Sequence, residues 1–96
     1  MIWISQESTE PIDVPITAPS DPTGEAVTLA FTASSVDPGD TWVNGSWVDS
    51  YDTTSKKAMA RATVLAGSLA PGVYWVFVNI GGGSGPLLRS GQMGVY

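Results

Sequence analysis

The reading of the fold turns on Leu69-Ala70-Pro71-Gly72-Val73-Tyr74-Trp75-Val76-Phe77-Val78-Asn79-Ile80. Pro71-Gly72 pairs a residue with fixed φ and one free to take positive φ, which marks a turn. After it, Tyr74, Val76, Val78 and Ile80 fall on one face of an extended chain and Val73, Trp75 and Phe77 on the other. The period is two, so the segment is a strand. Both faces are apolar, which places it centrally in its fold or beneath a partner. The uninterrupted apolar run from Val73 to Val78 is far shorter than a bilayer-spanning helix requires.

The same period extends in both directions. Leu87 to Tyr96 returns as a last strand, kinked at Gly91 and Gly94. Upstream, Lys56–Leu65 sets Ala58, Ala60, Ala62 and Val64 against Met59, Arg61, Thr63 and Leu65, and the small alanines suggest close approach to another layer. Lys-Lys-Ala-Met-Ala-Arg-Ala is also a good helix-forming string, but the flanking turns are spaced for a β meander. Glu25–Ala33 alternates Val27, Leu29 and Phe31 with Ala26, Thr28, Ala30 and Thr32. Trp42-Val43-Asn44-Gly45-Ser46-Trp47 sets Asn-Gly, the favoured tight-turn pair, between two tryptophans; an extended strand bulged at Gly45 is the alternative. Ile12, Val14 and Ile16 alternate beside Pro11 and Pro15, and prolines that cannot donate to a ladder make this an edge strand or an irregular one. Met1–Ser5 is a first strand. Turn clusters at Ala18–Gly24 and Asp37–Asp40 separate these segments. The count is about seven short strands at roughly 8–12-residue spacing, the pattern of an all-β, immunoglobulin-like antiparallel sandwich. At 96 residues the chain has room for one such domain, spanning residues 1–96, and for a thin core.

Composition narrows the function. Charged residues are 14% of the chain, against about 25% in an ordinary soluble protein, which suggests a surface partly covered in the working state. The net charge of −5 argues against nucleic acid as a partner. All nine acids precede residue 56, and Lys56, Lys57, Arg61 and Arg89 follow; this polarity would let identical copies attract head to tail if the fold keeps the halves apart. The first residues lack the basic and long apolar regions of a signal peptide, so a soluble chain with no membrane partner is expected.

Without Cys there is no disulfide or thiolate, and without His the usual catalytic base and metal ligand are missing. The pairs Asp37/Asp40 and Asp49/Asp52 lie in turn-like segments, where Asp satisfies backbone N–H groups more often than it binds calcium or catalyses. Gly81–Gly85 lacks the lysine and following helix of a phosphate loop; it is a hairpin tip. No enzyme, cofactor or metal is therefore expected. Four tryptophans, Trp3, Trp42, Trp47 and Trp75, must divide between core and surface. Trp42 and Trp47, flanking a turn, are the pair expected to be partly exposed.

Leu69-Ala70-Pro71-Gly72-Val73-Tyr74-Trp75-Val76-Phe77-Val78 resembles the approach to a late strand in fibronectin-type and immunoglobulin-like domains. There a corner tyrosine ties the preceding loop to the sheet. The resemblance gives Tyr74 that role, with Leu69 plugging the core and Pro71-Gly72 making the corner. Together with Trp42–Trp47, Leu69–Ile80, Pro86–Val95 and the proline-punctuated opening, the chain looks like a family of small immunoglobulin-like virion structural proteins of tailed actinobacterial phages. These are encoded among the head and head-to-tail connector genes. The chain departs from that family in its Gly-Gly-Gly-Ser-Gly loop, where the family tends to carry a polar, acid-containing turn.

The resemblance implies a non-catalytic protein assembled in the host cytoplasm and located in the virion. It would bind the major capsid protein or neck subunits, with self-association within the particle. A capsid decoration or minor capsid protein on the head is the first expectation, a head-to-tail connector the second. A carbohydrate-binding or adhesion module using exposed tryptophans is a third, from another class. The candidate interface residues are Trp42, Trp47, Trp75, Phe77, Gly82, Gly83, Ile2 and Trp3, with Met1–Ile4 as a strand to add to a neighbour's sheet edge.

Overall fold

The computed structural model describes residues 2–39, 41–48, 50–81 and 87–96, and these form strands with no helix. In chain order they are β1 (Ile2–Ile4), β2 (Glu10–Thr17), β3 (Val27–Thr32), β4 (Val43–Asn44), β5 (Ser46–Trp47), β6 (Lys57–Val64), β7 (Gly72–Ile80) and β8 (Leu87–Val95). A five-stranded sheet runs β1-β8-β7-β3-β4 and a three-stranded sheet runs β2-β6-β5. All pairings are antiparallel except β1 beside β8, which is parallel. The architecture is thus that of a two-sheet β-sandwich.

The core lies between the sheets. Val27 and Leu29 from β3, Val76, Val78 and Ile80 from β7, and Met93 and Val95 from β8 meet Ile12, Val14 and Ile16 from β2 and Ala60, Ala62 and Val64 from β6. Lys56–Leu65 is therefore a strand over most of its length, and its alanines allow the close approach that the pattern suggests. Here burial of the alternating face outweighs helix propensity.

Pro11 and Pro15 do lie on an edge. The Ala18 amide donates to the Lys56 carbonyl at 2.9 Å, extending the ladder in which Ile12, Val14 and Ile16 face β6. The odd-numbered residues Pro11, Asp13 and Pro15 thus turn their backbones to the open side. Two of the three have no N–H there, which blunts that edge against strand addition.

Asn44-Gly45 does not close a hairpin. Asn44 pairs with Thr28 in the large sheet, while Ser46 pairs with Arg61 in the small one. The chain crosses between layers at Gly45, whose amide donates to Val27 O at 2.8 Å. A Cβ there would lie 2.9 Å from Leu29 Cδ1 and 3.0 Å from the Arg61 carbonyl oxygen. The glycine is needed for close approach, and splitting this segment raises the count from about seven strands to eight.

Candidate interaction surface

Tyr74 donates its hydroxyl to the Ala70 carbonyl at 2.7 Å, and Leu69 packs on the core cluster. Gly72 before it has φ 155°, a value few side chains tolerate. This corner fixes where β7 begins, and so which of its residues face outward. Since Tyr74, Val76, Val78 and Ile80 join the core, Val73, Trp75 and Phe77 point away from it.

On that outer face, neighbouring strands align side chains in rows. Trp3 pairs with Gly94, which pairs with Val73; Gln92 pairs with Trp75, which pairs with Thr32; Arg89 pairs with Phe77, which pairs with Ala30. The first row is apolar and open: Trp3 is 55% exposed and Val73 43%. The Trp3 indole lies directly over Gly94, with Cε3, Cζ3 and Cδ2 where a Cβ would project. One face of the ring is seated on backbone and the other meets solvent. The third row is closed. Phe77 is 4% and Ala30 0% exposed; beside them Arg89 lays its guanidinium 4.8 Å from the Trp75 ring centroid and donates to Ser35 O at 2.7 Å. That contact ties the segment after β3 to this face, and the cation–π pairing keeps Trp75 half-buried.

The expected interface residues therefore separate. Ile2 and Trp3 are exposed and Trp75 is half-covered. Phe77 offers no surface, because its own chain covers it. Trp47 is not an exposed anchor either: its ring packs on the core and its Nε1–H donates to Glu25 O at 2.9 Å. Being next to Gly45 at a sheet crossing, rather than on a hairpin, turns it inward. Trp42 is half-buried and lies outside the outer-face rows. Gly82 and Gly83 lie outside the described residues, as does Met1. Ile2–Ile4, expected as a strand for a neighbour's edge, pairs in this structure with the chain's own β8. Sequence reasoning named Ile2, Trp3 and Trp75 but missed Val73, Gly94 and Arg89; Val73 lay on the apolar outer face of β7 without being singled out, and the partners of Gly94 and Arg89 are distant in sequence.

The acids behave as turn residues. Asp37 Oδ1 accepts the Gly39 amide at 2.9 Å, Asp21 Oδ1 the Thr23 amide at 2.9 Å, and Asp52 Oδ1 the Thr54 amide at 2.8 Å; Asp40 and Asp49 are outside the described residues. Hydrogen bonds from the Thr23 hydroxyl and amide hold Asp21 below the usual carboxylate value, and those from the Thr54 and Ser55 amides do the same for Asp52. Arg61 lowers Asp13, first through its hydrogen bond and then through its charge. Arg61 Nε lies 2.6 Å from Asp13 Oδ1, and Nη2 3.0 Å from Oδ2. That pair joins one acid and one base from the two halves of the sequence across β2 and β6. Among the described residues no group of three or more Asp or Glu is placed to hold a metal ion.

The fold and surface define a small two-sheet β domain with an open apolar row, anchored by Trp3, on its larger sheet. No family model, curated protein or solved structure matches the chain.

Proposed function

We propose that this domain is a non-catalytic, immunoglobulin-like structural subunit of a tailed-phage particle, docking on neighbouring subunits through the outer face of its five-stranded sheet. The observation that carries the reading is the Trp3 ring seated on Gly94 beside exposed Val73. An aromatic held flat with one face free is a pre-organised anchor, and anchors of this type dominate interface energies. The resemblance of the Leu69–Ile80 and Pro86–Val95 segments to virion proteins supplies the setting: the head exterior, where the partner is the major capsid protein. Val73→Glu places a charge in the open row without entering the core. Particles assembled with this variant should lose the subunit, read by immunogold labelling and quantitative mass spectrometry of purified virions; normal incorporation refutes the reading. Label over the whole head supports decoration, whereas label at a single vertex transfers the role to the neck.

The flat, half-open Trp3 ring also favours a second reading, stacking against a sugar in an adhesion module. Glycan-array binding abolished by Trp3→Ala, with unaltered virion incorporation, would support that reading over the first.

A further inference from the structure

The sequence holds two asparagines, Asn44 and Asn79, and only Asn44 is followed by glycine. Asparagine is a chemically labile residue, and an Asn-Gly pair is the most labile context, because glycine has no side chain to hinder attack by its own backbone nitrogen. In that reaction the Gly45 nitrogen bonds to Asn44 Cγ and gives up its proton, and the side-chain nitrogen departs as ammonia. Water then opens the five-membered imide at one of its two carbonyls. One opening leaves aspartate. The other leaves isoaspartate, whose main chain runs through Cβ and Cγ and is one atom longer. Water is the only co-reactant.

The fold opposes this reaction. Asn44 is exposed, so solvent reaches it, but its backbone is extended and paired opposite Thr28. Ring closure requires the Asn44–Gly45 peptide to rotate until its nitrogen faces the side chain, which would break that pairing. The Gly45 N–H, which must be freed for attack, donates to Val27 O at 2.8 Å. The chain beyond is anchored in the other sheet: Ser46 pairs with Arg61, Trp47 Nε1–H donates to Glu25 O at 2.9 Å, and the Val48 amide donates to Met59 O at 2.8 Å. β4 itself is two residues long and lies at the sheet's edge, so opening of this crossing costs less than opening of the paired strands around it.

We infer that Asn44 is a deamidation site held silent by the sheet crossing, and that isoaspartate formed there keeps the crossing from closing again. The pairings of Asn44 with Thr28 and of Ser46 with Arg61 fix the span between the sheets. An extra main-chain atom within that span has no room, since even one carbon added at Gly45 would lie 2.9 Å from Leu29 Cδ1 and 3.0 Å from the Arg61 carbonyl oxygen. Aspartate, with its normal main chain, fits the exposed position. Each opening of the crossing therefore carries a chance of one-way exit from the folded pool. This inference stands apart from the docking face and does not depend on Trp3 or Val73.

The test compares the whole chain with a synthetic hexapeptide of residues 42–47 in mildly alkaline buffer, with products resolved by peptide mapping and mass spectrometry. Conversion of Asn44 should be at least tenfold slower in the folded chain than in the hexapeptide, and equal to it when both are in denaturing guanidinium. A smaller slowdown overturns the protection. Below the unfolding transition, conversion should rise with guanidinium in step with hydrogen exchange at the Gly45 amide; conversion indifferent to that exchange overturns it too. Asn79, followed by the branched Ile80, should stay intact throughout. After dilution from denaturant, isoaspartyl chains should be depleted at least tenfold from the protease-resistant fraction, while unmodified and aspartyl chains return to it. Equal recovery of the isoaspartyl form overturns the block on closure. Asn44→Asp should fold with an unaltered near-UV spectrum; failure of that variant to fold overturns the backbone argument by giving the effect to charge.

Discussion

Gly94→Ala probes the seat of Trp3. The residue sits in a paired strand, and alanine in an ordinary strand position would stabilise by roughly 0.5–1 kcal/mol relative to glycine. Here the added methyl would fall closer than 3.0 Å to the Trp3 ring. The ring cannot yield by bending, so the indole must lift from the sheet. Trp3 is 55% exposed, so just under half of an area of about 250 Å² is buried. At ~25 cal/mol per Å² the loss approaches 3 kcal/mol. Partial relaxation of β1 lowers this, and about 1.5–3 kcal/mol is expected. For a chain of this size each kcal/mol shifts the thermal midpoint by about 4–8 °C.

The decisive assay is a double-mutant cycle by urea denaturation. Trp3→Ala alone should cost a similar amount, because it deletes the same contact. In the Trp3→Ala background, Gly94→Ala meets no ring and should be neutral or stabilising. A coupling energy of about 1.5 kcal/mol or more is therefore expected, well above the few tenths seen for independent sites. Additive effects would refute the seated-ring geometry, and with it the reading of Trp3 as a pre-organised anchor.

Other perturbations test other parts of the structure. Tyr74→Phe removes the hydroxyl donated to Ala70 O and should destabilise by about 0.5–1.5 kcal/mol with the fold retained; an unchanged urea midpoint would deny the corner its role. Gly45→Val forces a side chain against Leu29 and the Arg61 carbonyl and should destabilise by more than about 2 kcal/mol, measured by thermal unfolding. Arg89→Ala releases the Ser35 contact and bares the Trp75 ring; increased binding of a hydrophobic dye by a still-folded protein is expected. For pH, Asp13, Asp21 and Asp52 are held below the ordinary carboxylate value in the folded state. Their contribution is present above that value and lost as pH falls through the lowered folded values, so stability should decline on acidification. NMR titration should show these three carboxylates titrating below those of the unfolded chain.

The features legible in the sequence are those set by local pattern. The two-sided apolar run of β7, the alternation of β3 and β6, and the prolines of β2 each specify strand position without knowledge of neighbours. What escaped were decisions made by tertiary contact. Asn44-Gly45 has the strongest local preference for a tight turn, but Gly45 is also small enough to slip between Leu29 and β6, where the chain passes from one sheet to the other. That crossing carries Trp47 inward, where Glu25 O satisfies its Nε1–H. Trp3 and Gly94, 91 positions apart in sequence, leave no local signal; read alone, Gly94 is only a kink.

The pairing of Trp3 with Gly94 bears on function because it is a poor arrangement for an isolated chain. A glycine within a strand weakens it, and a tryptophan left 55% exposed recovers less than half of the burial available to it. A β-branched residue at position 94 with a small polar residue at position 3 would hold the parallel β1–β8 pair with less apolar surface in water. The opposite sheet follows that ordinary solution: its outward residues include Asp13, Thr17, Arg61 and Thr63, with Asp13 and Arg61 paired. The row of Trp3, Gly94 and Val73 departs from it, with an indole laid on a strand glycine beside an exposed valine. What the row gains from the glycine is a rigid, flat indole whose free face is already oriented, which lowers the ordering entropy of any contact made there. On the proposed reading, that advantage is realised when a neighbouring subunit docks on the row.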